Sequence, residues 1–206
     1  MPAGTLSGCE PLLQIWLPVH AFVDESERPG RYLMCAVLVA PAHLTEVRQA
    51  LLALRMPGQR RLHFKPEGDR RRRLILDRIS ALPVRANIYQ RPGQPMKARE
   101  VCLRAMTADL LAAGVTRMVI EPIDTLVHQD RGAIIEELRA QHRLGSLAYE
   151  HVTAHLEPNL WAADAVAWAY GAGHDWRRRI QTLVNIQPGR REPRIPAVRP
   201  RPGATS

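Results

Sequence analysis

The chain is poor in cysteine and in aromatic residues, and almost without lysine. Three cysteines, Cys9, Cys35 and Cys102, in 206 residues are too few and too scattered for a disulfide framework or a thiolate metal site, so the sequence reads as that of a protein kept in a reducing cytoplasm. No apolar run reaches membrane-spanning length, since the one from Tyr32 to Ala42 is strand-sized and ends near Pro41. Leu6-Ser7-Gly8-Cys9 has the form of a lipoprotein cleavage box, but no Lys or Arg precedes it and no apolar core leads into it. Aromatic residues make up 5% of the chain, and only two of the 29 basic residues, Lys65 and Lys97, are lysines. Arginine therefore carries the net charge of +9.

That charge is concentrated. Residues 55–73 hold eight Lys or Arg against Glu67 and Asp69, and residues 187–206 hold five Arg against Glu192. Basic charge focused in two segments suits a polyanion, nucleic acid being the commonest, whereas the competing reading is solubility alone. The four arginines Arg70 to Arg73 wrap a full helical turn, so not all of them face one ligand. The candidate nucleic-acid contacts are Arg60, Arg61, Lys65, Arg70, Arg71, Arg177 and Arg178.

Against this basic background, a few acids stand in apolar surroundings. In Leu160-Trp161-Ala162-Ala163-Asp164-Ala165-Val166-Ala167-Trp168 the only charge is Asp164, which shares a helical face with Leu160, Trp161 and Trp168. A buried carboxylate is neutralised, paired or bound to metal, and an arginine partner is the plain alternative. The apolar run of His20-Ala21-Phe22-Val23-Asp24-Glu25-Ser26 stops at two acids; alternation puts Asp24 with Phe22 and Glu25 with Val23. Turn chemistry at a hairpin end is the competing account of Asp24 and Ser26. Glu121 closes the strand-like Thr116 to Glu121 before Pro122, where a solvated strand end is the simpler account. Carboxylates from two strand ends and one covering helix can converge to hold divalent cations through oxygen.

The pattern predicts a mixed α/β sheet. Strands are expected over Ala21–Glu25 and Tyr32–Ala40, joined by the Pro29-Gly30 turn, then over Arg61–Phe64, Val84–Tyr89, Thr116–Glu121 and, as an edge, Leu147–His155. Helices are expected over Leu44–Leu54, Glu67–Leu82 and Lys97–Ala113. A fourth is expected from an Asp130 N-cap to His142, and a closing one from Pro158-Asn159 to Ile180. Residues 1–17 read as a loose lead-in, 18–185 as one domain and 186–206 as a disordered Pro/Arg-rich tail.

That element order, with Val23-Asp24-Glu25-Ser26 on the first strand, Leu62-His63-Phe64 in the middle and Leu160-Trp161-Ala162-Ala163-Asp164 opening the last helix, resembles the bacterial domain-of-unknown-function family 3800 over residues 20–180. The resemblance implies a ribonuclease H-like fold and a two-metal nuclease centre. In it Asp24 is the bridging ligand, Glu121 a strand-end ligand and Asp164 the ligand from the closing helix, with Mg²⁺ or Mn²⁺ as the cation and DNA or RNA as the partner. Glu25, Glu67 and Asp124 are secondary ligand candidates, and His63 is a candidate for positioning water or phosphate. The chain departs from the ribonuclease H pattern in Val84–Tyr89, which offers Asn87 where a ligand acid is expected; either Glu121 substitutes or the site is incomplete. The rival function is an inactive nucleic-acid- or partner-binding module on the same fold. Trp161 and Trp168 fit a core position better than a base-stacking one.

Overall fold

The computed structural model describes residues 19–186; the lead-in over 1–17 and the tail beyond 186 lie outside them. Strand β1 (Val19–Arg28) turns at Pro29-Gly30 into antiparallel β2 (Arg31–Val39), with Gly30 supplying the positive φ of 70°. Helices α1 (Leu44–Ala53) and α2 (Asp69–Ser80) follow, then β3 (Val84–Pro92), α3 (Pro95–Ala112), β4 (Val115–Ile120), α4 (Val127–Ala140), β5 (Ala148–His151), α5 (Leu160–Ala172), α6 (His174–Arg179) and β6 (Val184–Ile186). The strands form one sheet in the order β5-β4-β1-β2-β3-β6, with β1–β4, β4–β5 and β3–β6 parallel and the remaining pairs antiparallel. This is the expected mixed sheet flanked by helices.

Alternation along β1 divides the core between the two faces. Phe22 packs with Leu33, Cys35 and Val37 under α1, α2 and α5, whereas Val23 packs with Tyr32, Met34 and Ala36 under α3 and α4. Helix α5 lies across β1 and β2 and is apolar on all sides except at Asp164, as suits a helix buried between the sheet and its neighbours. Trp161 is fully buried there and its Nε1 donates to Ala154 O at 2.6 Å, so it is core. Among the described residues no helix is long and apolar enough to cross a membrane.

Four local expectations need correction. Residues 61–64 are not a strand; Leu62 and Phe64 are buried while Arg61 and His63 point outward, an alternation that mimics a strand without a sheet partner. Asp130 is not an N-cap but sits inside α4, its carboxylate taken by Arg99. The closing helix breaks at Gly173, whose φ of 74° starts a separate α6. Ile186, assigned to the tail, ends β6 beside β3.

Candidate functional site

Asp24, Glu121 and Asp164 line one cleft of ≈ 520 Å³, with Glu25, Arg28, Arg61, His63, Lys65 and Trp168 also on its walls. Parallel pairing of β1 and β4 explains the first two: Val23 sits opposite Ile120, and Glu121 N–H donates to Val23 O at 3.0 Å, so Glu121 leaves β4 beside Asp24. Strand β3 pairs with β2 and not with β1, so Asn87 is two strands away from Asp24, and the neighbouring acid comes from β4. Asp164 arrives from the second turn of α5.

The three carboxylates are held differently. Asp24 accepts the Glu25 N–H at 2.7 Å, and no arginine hydrogen-bonds or ion-pairs with it among the described residues. Burial, then the charges of Glu25, Asp164 and Glu121, push its carboxyl well above the ordinary range. Asp164 accepts the Phe64 N–H at 3.0 Å; burial raises its carboxyl too, opposed by that hydrogen bond, His63 and Arg61. Among the described residues Glu121 is the one of the three in an ion pair, with Arg61 Nη1 at 2.6 Å. As they stand, no three His, Cys, Asp or Glu among the described residues group closely enough to hold a metal ion, and Glu121 is turned toward a guanidinium. The donor set itself is all oxygen and short of positive charge at Asp24, which suits a hard divalent cation.

Glu25 reaches the cleft wall, but its carboxylate faces the other side of the sheet, where Arg99 Nη1 donates to it at 2.8 Å. Arg99 is almost wholly buried and also forks onto Asp130, Nε to Oδ1 and Nη2 to Oδ2, both at 2.8 Å, and bonds Tyr32 Oη at 3.0 Å. His151 Nε2 lies 3.0 Å from Asp130 Oδ2. Burial works to raise the Asp130 carboxyl, but Arg99 and His151 hold it below the ordinary range. This buried network escaped the sequence reading, although Arg99 beside Ala98, Cys102 and Leu103 gives the same signal as Asp164: one charge on an apolar helical face.

Glu67 and Asp124 lie outside the cleft. Glu67 accepts from Gln59 Nε2 at 3.2 Å, and Asp124 is exposed in the 3-10 turn Asp124–Leu126. Among the basic candidates, Arg61, Lys65 and the exposed His63 line the cleft; Arg60 and Arg70 are exposed beyond it. Arg71 is committed to Leu54 O, and Arg177 donates to Tyr170 O at 3.0 Å and stacks 4.0 Å over its ring. Arg178 is exposed but bonds Asp175 at 3.1 Å.

The sequence reading also missed Arg28, because β1 continues past Ser26 and alternation returns Arg28 to the Asp24 face. Its Nη2 donates to Trp168 O at 2.9 Å. Arg28 and Arg72 lie 5.1 and 4.3 Å from the Trp168 ring, which also meets Phe64 and Trp176, so the indole is engaged by the protein itself. Arg28 crosses α5 at Gly171, where a Cβ would stand 2.7 Å from Arg28 Nε and 2.9 Å from Leu33 Cδ1. A second cleft of ≈ 600 Å³, lined by Leu38, Leu82, Pro83 and Leu183, has no cluster of acids.

No family model matches the chain, and no curated protein matches it. Among solved structures it is similar to a chain of the structure described as the PCNA:RNase HII complex from Archaeoglobus fulgidus, with a TM-score of 0.51 at 14% identity, covering 80% of this chain and 76% of that one. The likeness establishes a ribonuclease H-like fold.

Proposed function

We propose that the protein is a metal-dependent nuclease that hydrolyses phosphodiester bonds of DNA or RNA, a cytoplasmic member of the bacterial domain-of-unknown-function family 3800. The observation that carries this reading is Asp24: a carboxylate on the first strand of a ribonuclease H-like sheet, facing a cleft shared with Asp164 and Glu121, with no arginine bound to it among the described residues. A structural acid this enclosed is normally compensated from within, as Glu25 is by Arg99.

Asp24, Glu121 and Asp164 would hold Mg²⁺ or Mn²⁺, which when bound supplies an activated water and stabilises the leaving oxygen of a phosphodiester. The chain's own contribution is placement and charge. Phe64 N–H fixes the Asp164 carboxylate, the β1–β4 pairing fixes Glu121 beside Asp24, and Glu25 is kept off the floor by Arg99. His63, exposed on the wall, is placed to orient water or a phosphate oxygen. Lys65 on the same wall, with the exposed Arg60 and Arg70 outside it, gives a phosphate chain positive side chains to follow, whereas Arg178 lines a separate cleft and is paired with Asp175. Arg71 and Arg177 are not part of this set, because carbonyl groups already hold them.

The test is cleavage of labelled single-stranded DNA, duplex DNA, RNA and an RNA–DNA hybrid with Mg²⁺ or Mn²⁺. Chelation should stop it, and Asp24→Asn or Asp164→Asn should slow it on the order of 10²- to 10³-fold, the several kcal/mol that a metal site supplies. Cleavage that survives both chelator and Asp24→Asn refutes the assignment. The rival, an inactive binding module, is favoured by the Arg61–Glu121 ion pair. It is the reading that survives if all four substrates bind and none is cut.

A further inference from the structure

One short segment holds two of the three cleft carboxylates, and by contacts of opposite character. Phe64 is fully buried and its backbone N–H is donated to Asp164, so that contact is as fixed as the core. Arg61, three residues earlier, reaches Glu121 with a side chain that is 39% exposed. In the first contact the donor is a main-chain group held in place by the buried Phe64. The second is a half-exposed ion pair, weak enough to be exchanged.

We propose that Arg61 is the cleft's built-in counter-cation: it competes with a divalent ion for Glu121, and the guanidinium displaced by the ion is handed to the phosphate of the nucleic acid. This rests on the nuclease function proposed above. Two observations carry it. Glu121 is the only one of the three acids that an arginine grips among the described residues. Arg61, His63 and Lys65 also alternate with the buried Leu62 and Phe64, so all three line the same cleft and a released Arg61 stays on its rim. A planar guanidinium suits either partner, because its fork matches carboxylate and phosphate oxygens alike.

The competition is tested by titrating Mn²⁺ into the full chain and reading free Mn²⁺ by electron paramagnetic resonance. Arg61→Ala should bind Mn²⁺ about fivefold tighter at low salt, the worth of a half-exposed ion pair, with Arg61→Lys in between. In a Glu121→Gln background the same change should do nothing. The hand-over is tested by anisotropy of a labelled oligonucleotide at saturating Ca²⁺, where Arg61→Ala should lower the log-log salt slope by about 0.7 to 0.9, one phosphate contact. Mn²⁺ affinity and phosphate contact thus move in opposite directions, which loss of a merely structural arginine would not produce. Unchanged or weaker Mn²⁺ binding overturns the competition, and an unchanged slope overturns the hand-over. If wild type binds Mn²⁺, Asp24→Asn does not, and Arg61→Ala equals wild type, this proposal alone fails. If no variant binds Mn²⁺, the nuclease function fails and takes the proposal with it.

Discussion

Asp24 and Glu25 are neighbours on one strand, yet they begin two carboxylate clusters of opposite design. On the Glu25 face, Arg99 sits nearly without solvent, with its charge divided between Glu25 and a bidentate Asp130, and His151 adds a further contact. On the Asp24 face, three carboxylates share a cleft in which, among the described residues, only Glu121 pairs with an arginine, at the rim. The same chemistry serves cohesion when the compensating charge comes from within and leaves a binding capacity when it does not. Burial pushes both the Asp24 and the Glu25 carboxyl upward, but only Glu25 has an arginine opposing the push.

Substitutions on the two faces and on the surface sharpen this contrast. The largest expected effect is Arg99→Ala, which strands Asp130 and Glu25 without their cation and should cost about 3 to 5 kcal/mol in urea unfolding. Arg99→Lys should recover only part, because an ammonium cannot reproduce the fork. A loss below about 1 kcal/mol would show that the two faces do not differ as described.

Asp24→Asn should act in the opposite direction, stabilising the metal-free protein by about 1 to 3 kcal/mol at neutral pH while removing any thermal shift caused by Mg²⁺ or Mn²⁺. The sign follows from the raised native carboxyl. Below the unfolded value of 3.8 both states are protonated and the two proteins agree; as pH rises through the native value the wild type alone carries the buried charge. The stability gap should therefore open with rising pH, and unfolding in chelator at pH 4, 6 and 8 checks it. A gap that closes with rising pH would mean that Asp24 is compensated after all.

The smallest effect on stability separates the surfaces. Charge reversal at the exposed Arg70 and Arg73, on the helix layer that carries Asp164, should change stability by no more than about 0.5 kcal/mol. Nucleic-acid binding should lose about 0.7 to 0.9 of salt slope for each phosphate contact removed. Reversal at Arg104, paired with Glu136 and Glu137 across α3 and α4, should leave the slope unchanged. Equal slopes for both would make the basic charge only solubilising.

How much of this was legible in the chain follows from the range of the forces involved. The β1–β2 hairpin and the separation of Asp24 from Glu25 are written in local alternation, and the burial of α5 in its composition, and all three are borne out by the structure. The gathering of Asp24, Glu121 and Asp164 in one cleft depends on the strand order, which local pattern does not give; the resemblance implied the three as a set but also expected an acid at Asn87, whose strand pairs with β2 and not with β1. What stayed hidden was pairing over distance: Arg99 with Glu25 and Asp130, separated by 74 and 31 residues, and Arg61 with Glu121, separated by 60. Asp130 was misassigned because an acid near a helix start satisfies the N-cap rule as well as it satisfies a buried arginine. The break at Gly173 was legible in Gly171-Ala172-Gly173, but the basic run after it imitates a helix C-terminus.

Gly171 has a mechanical consequence. Because Arg28 passes through the notch left by a missing side chain and fastens to Trp168 O, the tip of the hairpin is keyed to α5 as a tenon to its mortise. The strand bearing Asp24 and the helix bearing Asp164 are thereby joined a second time, beyond the carboxylates themselves. The outward side chains at 61, 63 and 65 line the rim of the cleft while Leu62 and Phe64 between them are buried, so rim and core are alternate residues of one segment.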